Sequence, residues 1–138
     1  MFQKILLAAD GSEHAMRAAE KAIALIKPSN GMVDLVYVVN GATSKSDVLR
    51  SSSKVEIEEK RKQKLKGIED LFQASGIGYQ VHILHGEAGP TIVEFANKGS
   101  YDCVVLGSRG LNPLQSMVLG SVSHKVAKRV TSPVMIIK

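Results

Sequence analysis

The chain has one cysteine, Cys103, no tryptophan, and only three phenylalanines and three tyrosines among its 138 residues. A lone cysteine excludes an intrachain disulfide framework and fits a reducing compartment. Long apolar runs are missing as well. The opening stretch Ile5 to Ala9 is broken by Asp10, too early for a signal segment or a bilayer span. These absences lead us to expect a soluble, cytoplasmic protein with no membrane partner. Several chemistries also lack their residues. His14, His82, His85 and His124 have no metal-site spacing, no Ser-His-Asp or Cys-His arrangement can be drawn, and there is no Walker A lysine. No G-x-G-x-x-G follows the first apolar run, where Gly11 stands alone, which argues against a flavin or dinucleotide binder. A phosphoacceptor receiver would need an aspartate after the third strand, where His85-Gly86 stand instead.

What is present is ordinary for an α/β protein: 44% hydrophobic and 22% charged residues, net charge +5 and pI near 9.4. The length fits one domain over residues 1–138. Much of the positive charge falls in residues 54–66, interleaved with Glu56, Glu58 and Glu59. Acid precedes base at i,i+4 in Glu56–Lys60 and Glu58–Lys62, so this run reads as a solvated helix face rather than a nucleic-acid surface.

Periodicity gives the elements. Residues 5–9 read as a buried strand, with Ser12 as N-cap of a helix whose inner face is Ala15, Ala18, Ala19, Ala22, Ile23 and Ile26. Val33 to Val39 is a second strand, and residues 40–46 a polar loop. The segment 47–75 is helical in its second half, on Leu65, Ile68, Leu71 and Phe72, with a first half short of apolar anchors that frays or projects. A third strand, 79–84, precedes a helix with Pro90 in its first turn. A fourth strand ends at Leu106. Gly107 to Leu119 is a loop, Gly120 opens the last helix, and Val134 to Ile137 is a fifth strand. The order βαβαβαβαβ, with nearly unbroken apolar strands, implies a doubly wound five-stranded parallel sheet with helices on both faces, for which we assume strand order 3-2-1-4-5 with strand 1 central.

In such a sheet ligands bind beyond the carboxyl ends of the strands, where the winding reverses, here between strands 1 and 4. Asp10-Gly11-Ser12 and Gly107-Ser108-Arg109-Gly110 meet there. The second loop runs on to Gly120-Ser121-Val122-Ser123, the pattern G-x-x-G, nine residues, then G-S. Gly107 and Gly110 permit close backbone approach. Gly120 and Ser121 stand where free N–H groups and the helix dipole favour phosphate oxygens, and Ser121 and Ser123 add hydroxyl donors. Arg109 could face phosphate or solvent and stays outside the core set. Cys103, within a strand, reads as an inert small apolar residue.

These residues, with Ile5 to Ser12 at one end and Ser132-Pro133-Val134 at the other, make the chain resemble the universal stress protein family, in its ATP-binding branch. The resemblance covers the whole chain. It implies a site for ATP with magnesium built from Ala8, Asp10, Val38, Val39, Leu106, Gly107, Gly110, Gly120, Ser121, Val122 and Ser123. Asp10 would lie beside ATP-bound magnesium, Val38 or Val39 by the adenine, and Gly120 to Ser123 on the phosphates. The expected protein is a stress-response regulator whose state follows its bound nucleotide, with at most weak hydrolysis. The alternatives are a slow ATPase and a ligand-free dimerisation module. A homodimer through the fifth strand is implied by the resemblance and by the apolar edge that strand would present. Two departures stand out: Ala9, where the family often has a bulkier valine, and Asn112-Pro113 in a loop that is often richer in glycine.

Overall fold

The computed structural model describes residues 2–10, 13–39, 54–108 and 120–138. Expectations about Gly11, Ser12, the loop at 40–46, the segment 47–53, Arg109, Gly110 and Asn112-Pro113 lie outside the described residues. Strand β1 is Lys4–Ala8 and is followed by helix α1, Glu13–Ile26. A short 3-10 turn at Lys27–Ser29 leads to Asn30, whose φ of 58° turns the chain into β2, Met32–Val39. Helix α2 is Lys54–Ser75, β3 is Gly78–His85, and α3 is Ala88–Lys98. Strand β4 is Cys103–Gly107, α4 is Ser121–Arg129, and β5 is Val134–Ile137.

All four strand pairings are parallel, and the order is β3-β2-β1-β4-β5, the order assumed from the sequence. Strand alternation divides the buried residues into two cores. Ile5, Leu7, Val33, Leu35, Val39, Cys103 and Val105 pack against the alanine stripe of α1 and against Leu65, Ile68 and Phe72 of α2. Leu6, Ala8, Val36, Val104 and Leu106 pack against Ile92 and Ala96 of α3 and Val126 of α4. Each central strand is thus apolar on both faces, which is why β1 and β4 read as continuous runs.

Two boundaries differ from the sequence expectation. Helix α2 runs unbroken from Lys54, well before its first buried side chain, Leu65. At 22 residues it is about 33 Å long, whereas the eight residues of β2 span about 26 Å. The helix therefore outruns the strand by about 7 Å, and Glu58, Arg61 and Lys62 of its charged first half still face β3 across a cavity. Gly120 caps α4 with extended backbone, φ −69° and ψ 164°, and the helix itself starts at Ser121.

One carboxylate is buried among the described residues. Asp34 on β2 is 8% exposed and accepts a 2.5 Å hydrogen bond from the Tyr101 hydroxyl. His82 Nε2 stands 3.3 Å from its other carboxylate oxygen, and Phe95 covers the His82 ring at 5.0 Å between centroids. Burial, then the hydrogen bond and charge of Asp34, push the Tyr101 phenol well above its ordinary range. Among the described residues no helix is long and apolar enough to cross a membrane.

Candidate functional site

Register places the two halves of the site side by side. Ala8, the last residue of β1, is the register partner of both Val36 and Leu106. Ala9 then donates its N–H to the Val36 carbonyl at 2.9 Å. Asp10 lies two residues beyond Ala8, and Ser108 two beyond Leu106, so both leave the carboxyl ends of neighbouring strands. The winding reverses between these strands: β1 is followed outward by β2 and β3 on one side, and by β4 and β5 on the other.

Alternation sorts the expected wall residues. Ala8, Val38 and Leu106 share the face covered by α3 and α4, with Leu84, the register partner of Val38, beside them. Val39 points the other way, into the core under α1 and α2. Of the two valines left open by the sequence, Val38 carries a side chain on the same face as Ala8 and Leu106. Val39 contributes its carbonyl, which accepts the Gly86 N–H at 3.0 Å and holds the turn into α3.

Ser108 ties the described flanks of the glycine loop together. Its N–H donates to the Ile137 carbonyl at 2.7 Å, and its own carbonyl accepts the Gly120 N–H at 2.7 Å. The Ser123 hydroxyl donates to that same carbonyl at 2.9 Å and stands 3.1 Å from the Gly120 carbonyl. The end of β4 and the start of α4 thus form one knot, with Ser108 and Ser123 both buried. The single hydroxyl proton of Ser123 is directed at these carbonyls, so what this residue turns toward the helix end is its amide. Gly120, as cap residue, makes no side-chain cap bond. The N–H groups of Ser121, Val122 and Ser123 belong to the first turn and have no intrahelical acceptor. Ser121 is exposed and Val122 half-buried at that end. An uncapped helix N-terminus with its dipole favours an anion.

Gly107 has a packing reason as well. A Cβ there would lie 2.6 Å from the His14 Cβ, so its absence lets the first turn of α1 settle on the end of β4. Arg17 is linked to this turn, with Nη2 3.1 Å from His14 Nδ1 and Nε donating to the Lys138 carbonyl at 3.0 Å.

Two groups escaped the sequence reading. Lys125 of α4 reaches across to α3, its Nζ 3.4 Å from the carboxylate of Glu87, the residue that caps α3 without a side-chain cap bond. The stem of Lys125 lies on Gly89, where a Cβ would come within 2.8 Å of its Cδ. Gly89 inside a helical turn was the available signal. Of the remaining reactive groups, Cys103 is buried, and burial pushes its thiol up, as suits an inert residue. Among the described residues no three His, Cys, Asp or Glu side chains gather to hold a metal. A cavity of about 470 Å³ lies away from the crevice, between α2 and β3, over Leu65, Val81 and Ile83 with His85 at its rim.

Comparison with known proteins agrees with the fold. The model of the universal stress protein family matches residues 1–138. A universal stress protein of Bacillus subtilis, YxiE, is 32% identical over 148 aligned positions, covering all of both chains. The solved structure of the protein MJ0577, from Methanocaldococcus jannaschii, superimposes with a TM-score of 0.85 at 29% identity, over 100% of this chain and 96% of that one. A family member from Arabidopsis thaliana, solved with AMP bound, shares the fold at 23% identity and a TM-score of 0.69, over 99% of this chain and 91% of that one.

Proposed function

This chain belongs to the universal stress protein family, and we propose that it binds ATP with magnesium in the crevice between β1 and β4, as a regulatory protein whose state follows the bound nucleotide. The observation that carries this reading is the Ser108 knot, which holds the uncapped start of α4 against the end of β4, beside the residues leaving β1. The base would lie on Ala8, Val38 and Leu106, the ribose and phosphates on Gly107 and Gly110, and the phosphate tail on the N–H groups of Ser121 to Ser123 and the Ser121 hydroxyl, with Gly120, whose own N–H is held by the Ser108 carbonyl, opening that turn. Magnesium would arrive with the triphosphate, and the Asp10 carboxylate would face it. A small Ala8 leaves room for a flat purine, and the AMP held by the Arabidopsis relative supports an adenine base. We propose further that the chain is one domain, acts in the cytoplasm, and pairs with a second copy through β5. No residue in this reading acts as a general base toward a γ-phosphate, which favours binding over turnover.

Calorimetric titration of the purified protein with ATP and magnesium tests this. Wild type should bind, and thermal stability should rise by about 2.7 kcal/mol at a hundredfold excess over Kd. Asp10→Ala should weaken ATP-magnesium more than ATP alone. A protein that is purified free of nucleotide and shows no affinity for added ATP-magnesium would sink the reading.

A further inference from the structure

Resting on the nucleotide reading above, we infer that Lys125 senses the charge of the phosphate tail, with Glu87 as the internal counter-ion that it gives up when the tail arrives. Three observations place it there. Lys125 follows Ser121 by four residues on α4, so the two share a helix face, and helical side chains lean toward the N-terminus. That face carries Lys125 alongside the turn whose N–H groups have no intrahelical acceptor. Second, the stem lies directly on α3. A Cβ at Gly89 would stand 2.8 Å from Cδ and 3.5 Å from Cβ of Lys125, so the lysine methylenes cover that glycine. Third, its present partner is a weak one. The Glu87 carboxylate is 75% exposed and 3.4 Å away, and an exposed pair of this kind contributes little and exchanges readily.

A nucleotide polyphosphate at the start of α4 offers Lys125 a denser negative charge and shorter charge-assisted hydrogen bonds than Glu87 does. The gain depends on how far the tail extends. A triphosphate carries more charge to the ammonium than a monophosphate, and adenosine carries none. Lys125 therefore sets preference among nucleotides of one base, while Ala8, Val38 and Leu106 treat that base alike. Glu87 opposes the tail and keeps the lysine extended across the α3–α4 gap between binding events.

The test is titration of wild type, Lys125→Gln, Glu87→Gln and Gly89→Ala with ATP, ADP, AMP and adenosine at fixed salt, with thermal melts of the free proteins as folding controls. Lys125→Gln should weaken ATP about tenfold and AMP less than twofold, compressing the ATP-to-AMP ratio. Glu87→Gln should tighten ATP about twofold to threefold by releasing the lysine. Gly89→Ala, which displaces the stem, should change the ratio in the same sense as Lys125→Gln. Equal losses for ATP and AMP, or an unchanged ratio in folded Lys125→Gln, overturn the role of Lys125 while leaving the nucleotide site standing. Wild type that binds none of the four ligands removes both.

Discussion

Ser123 shows how one hydroxyl can be read in two ways. Its place three residues beyond Gly120 suggests a phosphate donor, yet the proton is spent within the protein, on the Ser108 carbonyl. Ser123→Ala should therefore cost stability, about 1 kcal/mol by urea unfolding, since the Ser108 carbonyl keeps its bond from Gly120. ATP affinity should fall only as far as the knot loosens, less than threefold by about 0.6 kcal/mol of linkage. A hundredfold loss of affinity in a variant of unchanged stability would return the hydroxyl to the phosphates. The residue type was legible in the sequence, but its direction was not. Direction depends on Ser108, fifteen positions away in the chain, and no local pattern reports where that carbonyl points. Lys125 was missed for a similar reason, because its partner Glu87 lies on another helix. Val38, by contrast, could be separated from Val39 once strand parity was tied to Ala8 and Leu106 through the register.

Among the elements, strand direction was legible because apolar runs alternated with amphipathic helices, and right-handed crossovers leave few windings, from which the order with strand 1 central was assumed. The length of α2 was not legible. Its first half lacks buried anchors, and the residues that favour helix there are good helix formers with acid before base at i,i+4 spacing, as in Glu56–Lys60 and Glu58–Lys62. Asp34 was also unexpected, a carboxylate inside a strand that otherwise reads as apolar. It is tolerated because Tyr101, just before β4, donates to it across β1, tying two elements together. Tyr101→Phe leaves that buried carboxylate short of a donor and should destabilise the fold by about 1–3 kcal/mol near neutral pH. The pH dependence follows from the raised phenol. The protonated form is favoured in the folded state, so its contribution is complete below the ordinary phenol value of about 10. It is lost as pH rises beyond that value, because the unfolded chain ionises first. Denaturant midpoints between pH 9 and 11, about the phenol range, should therefore fall more steeply for wild type than for Tyr101→Phe. Parallel slopes would mean that the phenol is not held protonated.

At the scale of the whole molecule, the two sheet edges differ. β3 has α2 lying along it and a cavity at its side, whereas β5 presents four apolar residues, all partly exposed, on the outer side of β4. An apolar edge of this kind invites a second strand. The ladder tells which groups remain for it. Pro133 and Ile137 give their carbonyls to Val104 and Ser108 of the neighbouring strand segment, and in a parallel pair the residues that bond inward alternate with those that face away. By that alternation the N–H of Ile136 faces outward, where the proposed second copy would pair. Ile136→Pro removes that donor and leaves the inward ladder with β4 in place, a substitution that edge strands tolerate. Light scattering on a sizing column should find wild type as a dimer and Ile136→Pro as a monomer with an unchanged far-ultraviolet spectrum. Because Ser108 donates to Ile137, and its carbonyl anchors Gly120, the β5 edge and the start of α4 share one residue. ATP should accordingly shift the monomer–dimer midpoint of wild type while leaving Ile136→Pro monomeric. A dimer that survives the proline uses another surface, and wild type that stays monomeric at every concentration and nucleotide load does not pair through β5.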